Sequence, residues 1–210
     1  MDMAPENMEE RIRDWLTSEG LEVKVREDPR ADFHLLVRYP PTKHGHVFNV
    51  LSPKDRNLLV ISSVTQVDEG QQNEMSKHGV DDPNGWEEWL HETRLHLTRG
   101  HVDWVLHVGH GKDKPGPLQA FNLSMPIWFD GVTQNEVMQT LRKLWLSKLS
   151  IIHEIKFSYG PGVGRPGPVD DWEKGGRGPK EESNAPTSAS KVETDETGGF
   201  GTGFDPSDWV

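Results

Sequence analysis

The apolar residues between positions 5 and 157 switch their spacing from helix to strand and back, and this succession constrains the fold more than any other feature of the chain. Residues 5–18 place Met8, Ile12, Trp15 and Leu16 on one helical face, and Gly20 stands where such a helix stops. LEVKVRE, 21–27, alternates strictly and reads as a short edge strand. Three more strand-like runs follow, FHLLVRY (33–39), VFNVLS (47–52) and LLVISSVT (58–65), separated by PPTKHGH and PKDRN. Links this short, made of turn residues, join antiparallel neighbours. The stretch 62–85 is polar and reads as an irregular surface connection. A second helix is expected over 86–99, with Trp86, Leu90 and Leu97 spaced for burial and Gly100 at its end. VDWVLHV (102–108) and LQAFNLSM (118–125) alternate again. In the last element Thr133 and Glu136 form a capping box ahead of the stripe Val137, Leu141, Leu144, Trp145, Leu149 and Ile152. The order helix, strands, helix, strand pair, helix predicts an α+β fold, one antiparallel sheet backed by three helices.

The composition breaks after Phe157. Positions 159–210 are rich in Gly, Pro, Ser and acids, and their five basic residues against ten acids account for about half of the formal charge of −11. Apolar surface this sparse does not offset the entropy of ordering, so residues 1–158 are expected to form the domain and 159–210 a disordered acidic tail. The charge argues against a nucleic-acid partner, which needs clustered Lys and Arg, and against docking on an anionic membrane. With no cysteine, disulfides and thiol chemistry are excluded. No apolar run has the length to span a bilayer, and the acidic start MDMAPENMEERIRDWL is unlike a targeting segment. The expectation is a soluble cytoplasmic protein.

Particular words within this pattern, ADFHLLVRYPP, NVLSPKDRNLLVISSV and PIWFDGVTQNEVMQTLRKLWLSKLSIIHEI, resemble the prokaryotic domain-of-unknown-function 2299 family over residues 5–157. The resemblance implies the fold of type III secretion chaperones, an antiparallel sheet with three helices that is often a homodimer and, in those chaperones, binds extended segments of other proteins. It brings no catalytic signature and no cofactor, and no site residues carry over.

HVGHGKDKPGP, 107–117, is the stretch most suggestive of chemistry. A phosphate loop feeds a helix N-terminus, whereas here a strand follows. Zinc needs three or four ligands. His107 and His110 would have to meet His44 and His46 from another turn, or His101, and no H-E-x-x-H pair is present. A hairpin loop is therefore expected, with His107 on the strand face of Asp103 and Val105 and His110 two residues beyond the strand. The rival reading is a metal-dependent hydrolase using His44, His46, His107 or His110. Asp32 and Asp130 each stand beside an aromatic residue and could form an acid–base pair, but a strand start and an Asp–Gly turn account for them.

Six tryptophans (15, 86, 89, 104, 128 and 145) crowd the domain, enough to leave some for partner contacts. Trp86 and Trp89 are the candidate partner-binding pair and, with strand 102–108, the candidate homodimer surface. The terminal GGFGTGFDPSDWV sets Phe200, Phe204 and Trp209 among glycines and beside Asp205 and Asp208. It reads either as an acidic solubilising end or as a linear motif whose aromatics fill pockets on a partner or on the domain itself. The chain is thus expected to be a non-catalytic, cofactor-free interaction module with a protein partner of unknown identity.

Overall fold

The structure, a computed structural model, describes residues 5–110 and 115–165, with side chains from Met8 onward. In chain order the elements are α1 (Pro5–Ser18), β1 (Glu22–Val25), β2 (Ala31–Tyr39), β3 (His46–Pro53), β4 (Leu58–Gln66), α2 (Glu69–Asp81), α3 (Pro83–Arg99), β5 (Asp103–His110), β6 (Pro115–Trp128), a 3-10 turn (Phe129–Gly131) and α4 (Gln134–Tyr159). The strands form one sheet in the order β1-β2-β3-β4-β6-β5. β1 through β4 pair in succession, each antiparallel to the next.

The class is the expected α+β with an antiparallel sheet, but the described residues hold four α-helices rather than three. The additional one, α2, occupies the stretch read as irregular. Its buried face is Gln71, Gln72 and Met75. The Gln71 amide donates to the Gly160 carbonyl (2.8 Å) and the Gln72 amide to the Val67 carbonyl (3.0 Å). With two glutamines on its buried face, their N–H₂ groups bonded to backbone carbonyls, a hydrophobic period cannot reveal the helix. Asp82 closes α2 and opens α3, its carboxylate accepting from Gly85 N (3.0 Å), with Pro83 in the first turn.

The chain divides into two compact units, one running to Ser63 and including residues 123–149, the other running from Val64 to Asn122 and resuming at Ser150. In the first unit the register sets Leu35 opposite Val50 and Val37 opposite Phe48. These four are fully buried, as are Leu59 and Ile61 of β4. Met8, Ile12 and Leu16 bury the inner face of α1, which packs on β1 and β2. Gly20, at φ +75°, ends that helix, and Leu21 N donates back to the Leu16 carbonyl (3.1 Å). The expected cap of α4 is present, with Glu136 N donating to Thr133 Oγ1 (3.1 Å).

The buried stripe of α4 then departs from the hydrophobic pattern. After Leu141 and Leu144 the core position falls on Lys148, 5% exposed, while Leu149 is only half-buried. The helix turns by 3.6 residues whatever side chain it carries. The Lys148 ammonium donates to Ser63 Oγ (3.0 Å) and lies 5.7 Å from the Phe48 ring centroid, and Ser63 Oγ donates on to the Val47 carbonyl (2.9 Å).

In the second unit α2 packs on α3, and α3 on β5. Residues 159–165, read from composition as the start of the tail, first complete α4 and then return to the start of α2. Asp68 is fully buried, and its carboxylate accepts from Gly70 N (2.8 Å), Val163 N (2.7 Å) and Arg165 N (2.7 Å). Glu69 N donates to the Arg165 carbonyl (2.8 Å). Gly162 sits at φ +82° against Asp68, where any Cβ would collide with the carboxylate. Among the described residues no helix is long and apolar enough to cross a membrane.

Candidate partner-binding site

Helix α3 turns Trp86, Leu90, Thr93 and Leu97 inward. Trp86 is 1% exposed, and its indole N–H donates to the Pro115 carbonyl (3.2 Å). Trp89 is half-buried and stacks on Trp86, with centroids 5.2 Å apart and planes 9° from parallel. Tyr159, from the end of α4, meets Trp86 and Trp89 edge-on at 6.2 and 5.3 Å. His78 of α2 completes the cluster, with Nδ1 3.0 Å from the Tyr159 hydroxyl. Three helices thus converge on four rings, an arrangement that favours offset and edge contacts.

Burial, and secondarily the charge of Glu154, pushes the Tyr159 phenol well above its usual value. The unfolded tyrosine ionises near pH 10 while the folded one keeps its proton, so this contribution to stability is complete below about pH 10 and lost above it. The expected loss is about 1.4 kcal/mol per pH unit as pH rises beyond 10. Chemical denaturation at pH 9 and 11 should show this extra loss in the parent chain and its absence in Tyr159→Phe.

Beside Trp89 the seam between α3 and α4 opens into a groove of about 270 Å³, lined also by Glu92, Thr93, His96 and Arg99 of α3 and by Ser150, Ile151 and Glu154 of α4. His96 Nε2 and Ser150 Oγ join across it at 2.9 Å. The volume falls just short of a small-molecule pocket, roughly 300 Å³ and upward. It suits one or two side chains of a partner. The Trp89 indole N–H is enclosed and has no hydrogen-bond partner among the described residues. An enclosed donor of this kind is unusual in a folded protein.

The other expected sites are dispersed. His44 lies in the β2–β3 turn and His46 opens β3, both in the first unit, whereas His107 and His110 lie on β5 in the second. His110 is the last residue of that strand rather than part of a loop, β5 running two residues past Val108. Among the described residues no three His, Asp or Glu side chains gather as a metal ion would require. Asp32 is exposed near the start of β2, and Asp130 is exposed in the 3-10 turn. Of the candidate pair, Trp86, which its spacing also marked for burial, is core, packed by the Trp89 and Tyr159 rings, while Trp89 is half-buried. Phe200, Phe204 and Trp209 lie outside the described residues. Sequence reasoning missed His78 and Tyr159. The signal for Tyr159 was the helical spacing Ile152, Ile155, Tyr159, which runs on past the change in composition.

Residues 8–155 match the profile of a family described as "Uncharacterized conserved protein (DUF2299)". The crystal structure of an uncharacterized protein from Methanothermobacter thermautotrophicus is similar, with 25% identity and a TM-score of 0.62, covering 72% of this chain and 99% of its own. YbjN from E. coli matches at 12% identity and a TM-score of 0.39, over 69% of this chain and 91% of its own, a likeness too distant to carry an argument. None of the curated proteins matches. With its profile matched over most of the chain, and across both compact units, this protein belongs to the DUF2299 family.

Proposed function

We propose that the chain is a non-catalytic protein-interaction module with a type III secretion chaperone-like fold, acting as a cytoplasmic homodimer that holds a protein partner. The observation that carries the reading is Trp89, an aromatic wall held by Trp86 and Tyr159 and half open to a groove. Rigid, part-buried tryptophans are the commonest anchors of protein interfaces. The groove would receive one or two partner side chains against the exposed part of the Trp89 ring. The terminal segment with Phe200, Phe204 and Trp209 would add a second anchor, joined through the tail to the same partner and raising its effective concentration.

The test uses full-length protein purified without an affinity tag and then immobilised. It should retain a protein partner that Trp89→Ala loses by roughly 30-fold in affinity, the size of an interface hot spot. Equal retention by the variant would overturn the groove as the binding site. One tightly held zinc or iron per chain would overturn the non-catalytic reading in favour of a metal-dependent hydrolase.

A further inference from the structure

The two edges of the sheet are protected to very different degrees. β1 is four residues long, and its Glu22 pairs with Lys24 (3.1 Å) and Arg38 (3.3 Å), a short charged edge of the kind that discourages further strand pairing. β5 at the other end is eight residues, DWVLHVGH, with neither lysine nor proline. Among the described residues no strand lies beyond it. The Trp104 indole N–H donates to Thr98 Oγ1 (3.3 Å), which places Trp104 and its alternates Leu106 and Val108 on the α3 side. Asp103, Val105 and His107 face the opposite way, and Val105 is 50% exposed.

We propose that β5 pairs antiparallel with β5 of a second copy of this chain, about a two-fold axis at Val105. This specifies the homodimer of the reading above and rests on it. A two-fold perpendicular to the sheet keeps each face of β5 on the same side in both copies, so like-facing residues must meet and the axis passes through a residue. Centred on Val105, the pairing puts Asp103 opposite His107 twice, carboxylate against imidazole, with Val105 against Val105 between them. On the α3 side Trp104 meets Leu106. Both faces are self-complementary. Shifting the axis to Leu106 sets Asp103 against Gly109 and His107 against Val105, which loses both polar pairs. Shifting it to His107 stacks that imidazole on its own copy. Cross-strand pairs of this kind are what select a register.

Directly opposed residues on antiparallel strands have Cα atoms about 4.5–5.5 Å apart, within the span of a disulfide. The chain has no cysteine of its own, so single substitutions report the axis directly. Under oxidised glutathione, full-length Val105→Cys should become mostly covalent dimer, while Leu106→Cys and the opposite-edge control Val25→Cys should stay mostly monomer. By sedimentation at tens of micromolar the parent chain should be a dimer and Val105→Lys a monomer with the far-UV circular dichroism of the parent. Asp103→Lys should weaken the dimer at least tenfold, and adding His107→Glu should restore it. Faster linking by Leu106→Cys would overturn the register. A dimer that survives Val105→Lys would overturn the strand pairing while leaving the dimer itself. A parent chain that stays single at 100 micromolar, with β5 left to another protein's strand, would overturn the inference without touching the Trp89 groove, which the partner-retention assay tests separately.

Discussion

Asp68→Ala is expected to cost about 3 kcal/mol and to lower the melting temperature by roughly 6–12 °C. The carboxylate is the common acceptor for three backbone donors, one capping α2 and two from the strand of chain that follows α4. Loss of the helix cap alone costs about 1 kcal/mol. The bonds from Val163 and Arg165 are charge-assisted, each worth about 1.5–3 kcal/mol, but release of that short segment to water limits the total. Asp68→Asn keeps one acceptor oxygen and turns an amide N–H₂ toward a donor, so it should fall between the parent and the alanine variant. Gly162→Ala approaches the same contact from the other side, through steric collision and a φ of +82°. Hydrogen exchange should report faster exchange at the Val163 and Arg165 amides in all three. A melting temperature within 2 °C of the parent for both Asp68→Ala and Gly162→Ala would show that residues 160–165 are not anchored here.

This contact also shows where the sequence could and could not be read. Elements whose buried faces are apolar were legible: Met8, Ile12 and Leu16 marked α1, and alternation marked β2 through β6. Helix ends were legible wherever the residue type announces them, as the positive φ of Gly20 and the hydroxyl of Thr133 do. What stayed hidden was the burial of polar side chains that bond other parts of the chain. Gln71 and Gln72 line the inner face of α2, Lys148 takes a core position of α4, and Asp68 binds a segment whose Gly and Pro content looks like linker. Gln71, Lys148 and Asp68 each bond a partner 85 or more residues away, and one-dimensional patterning carries no record of such a partner. The candidate site was half legible for the same reason. The Trp86–Trp89 spacing pointed to the right turn of α3, but which indole is enclosed depends on Tyr159 arriving from α4.

That division of roles between neighbouring indoles predicts the largest single loss of stability. Trp86→Ala should cost about 3–5 kcal/mol, the range for deleting a buried aromatic side chain. Trp86 touches His78, Trp89 and Tyr159, so its removal opens a cavity bordered by rings from all three helices, and it also leaves the Pro115 carbonyl without its donor. Trp89 has groove on one side and loses less on truncation, about 1–2 kcal/mol, because water can reach the space it leaves. The two rings are in contact, so the double substitution should cost less than the sum of the single ones, the shared stacking being lost once. Trp86→Phe separates packing from hydrogen bonding: it fills most of the cavity but lacks the N–H, and should recover more than half of the loss. Urea unfolding of the four variants, read by far-UV circular dichroism, measures each term. If Trp86→Ala stays within 1 kcal/mol of the parent, or Trp89→Ala proves the more damaging, then Trp86 is not the centre of this cluster and the rigid support assigned to Trp89 fails with it.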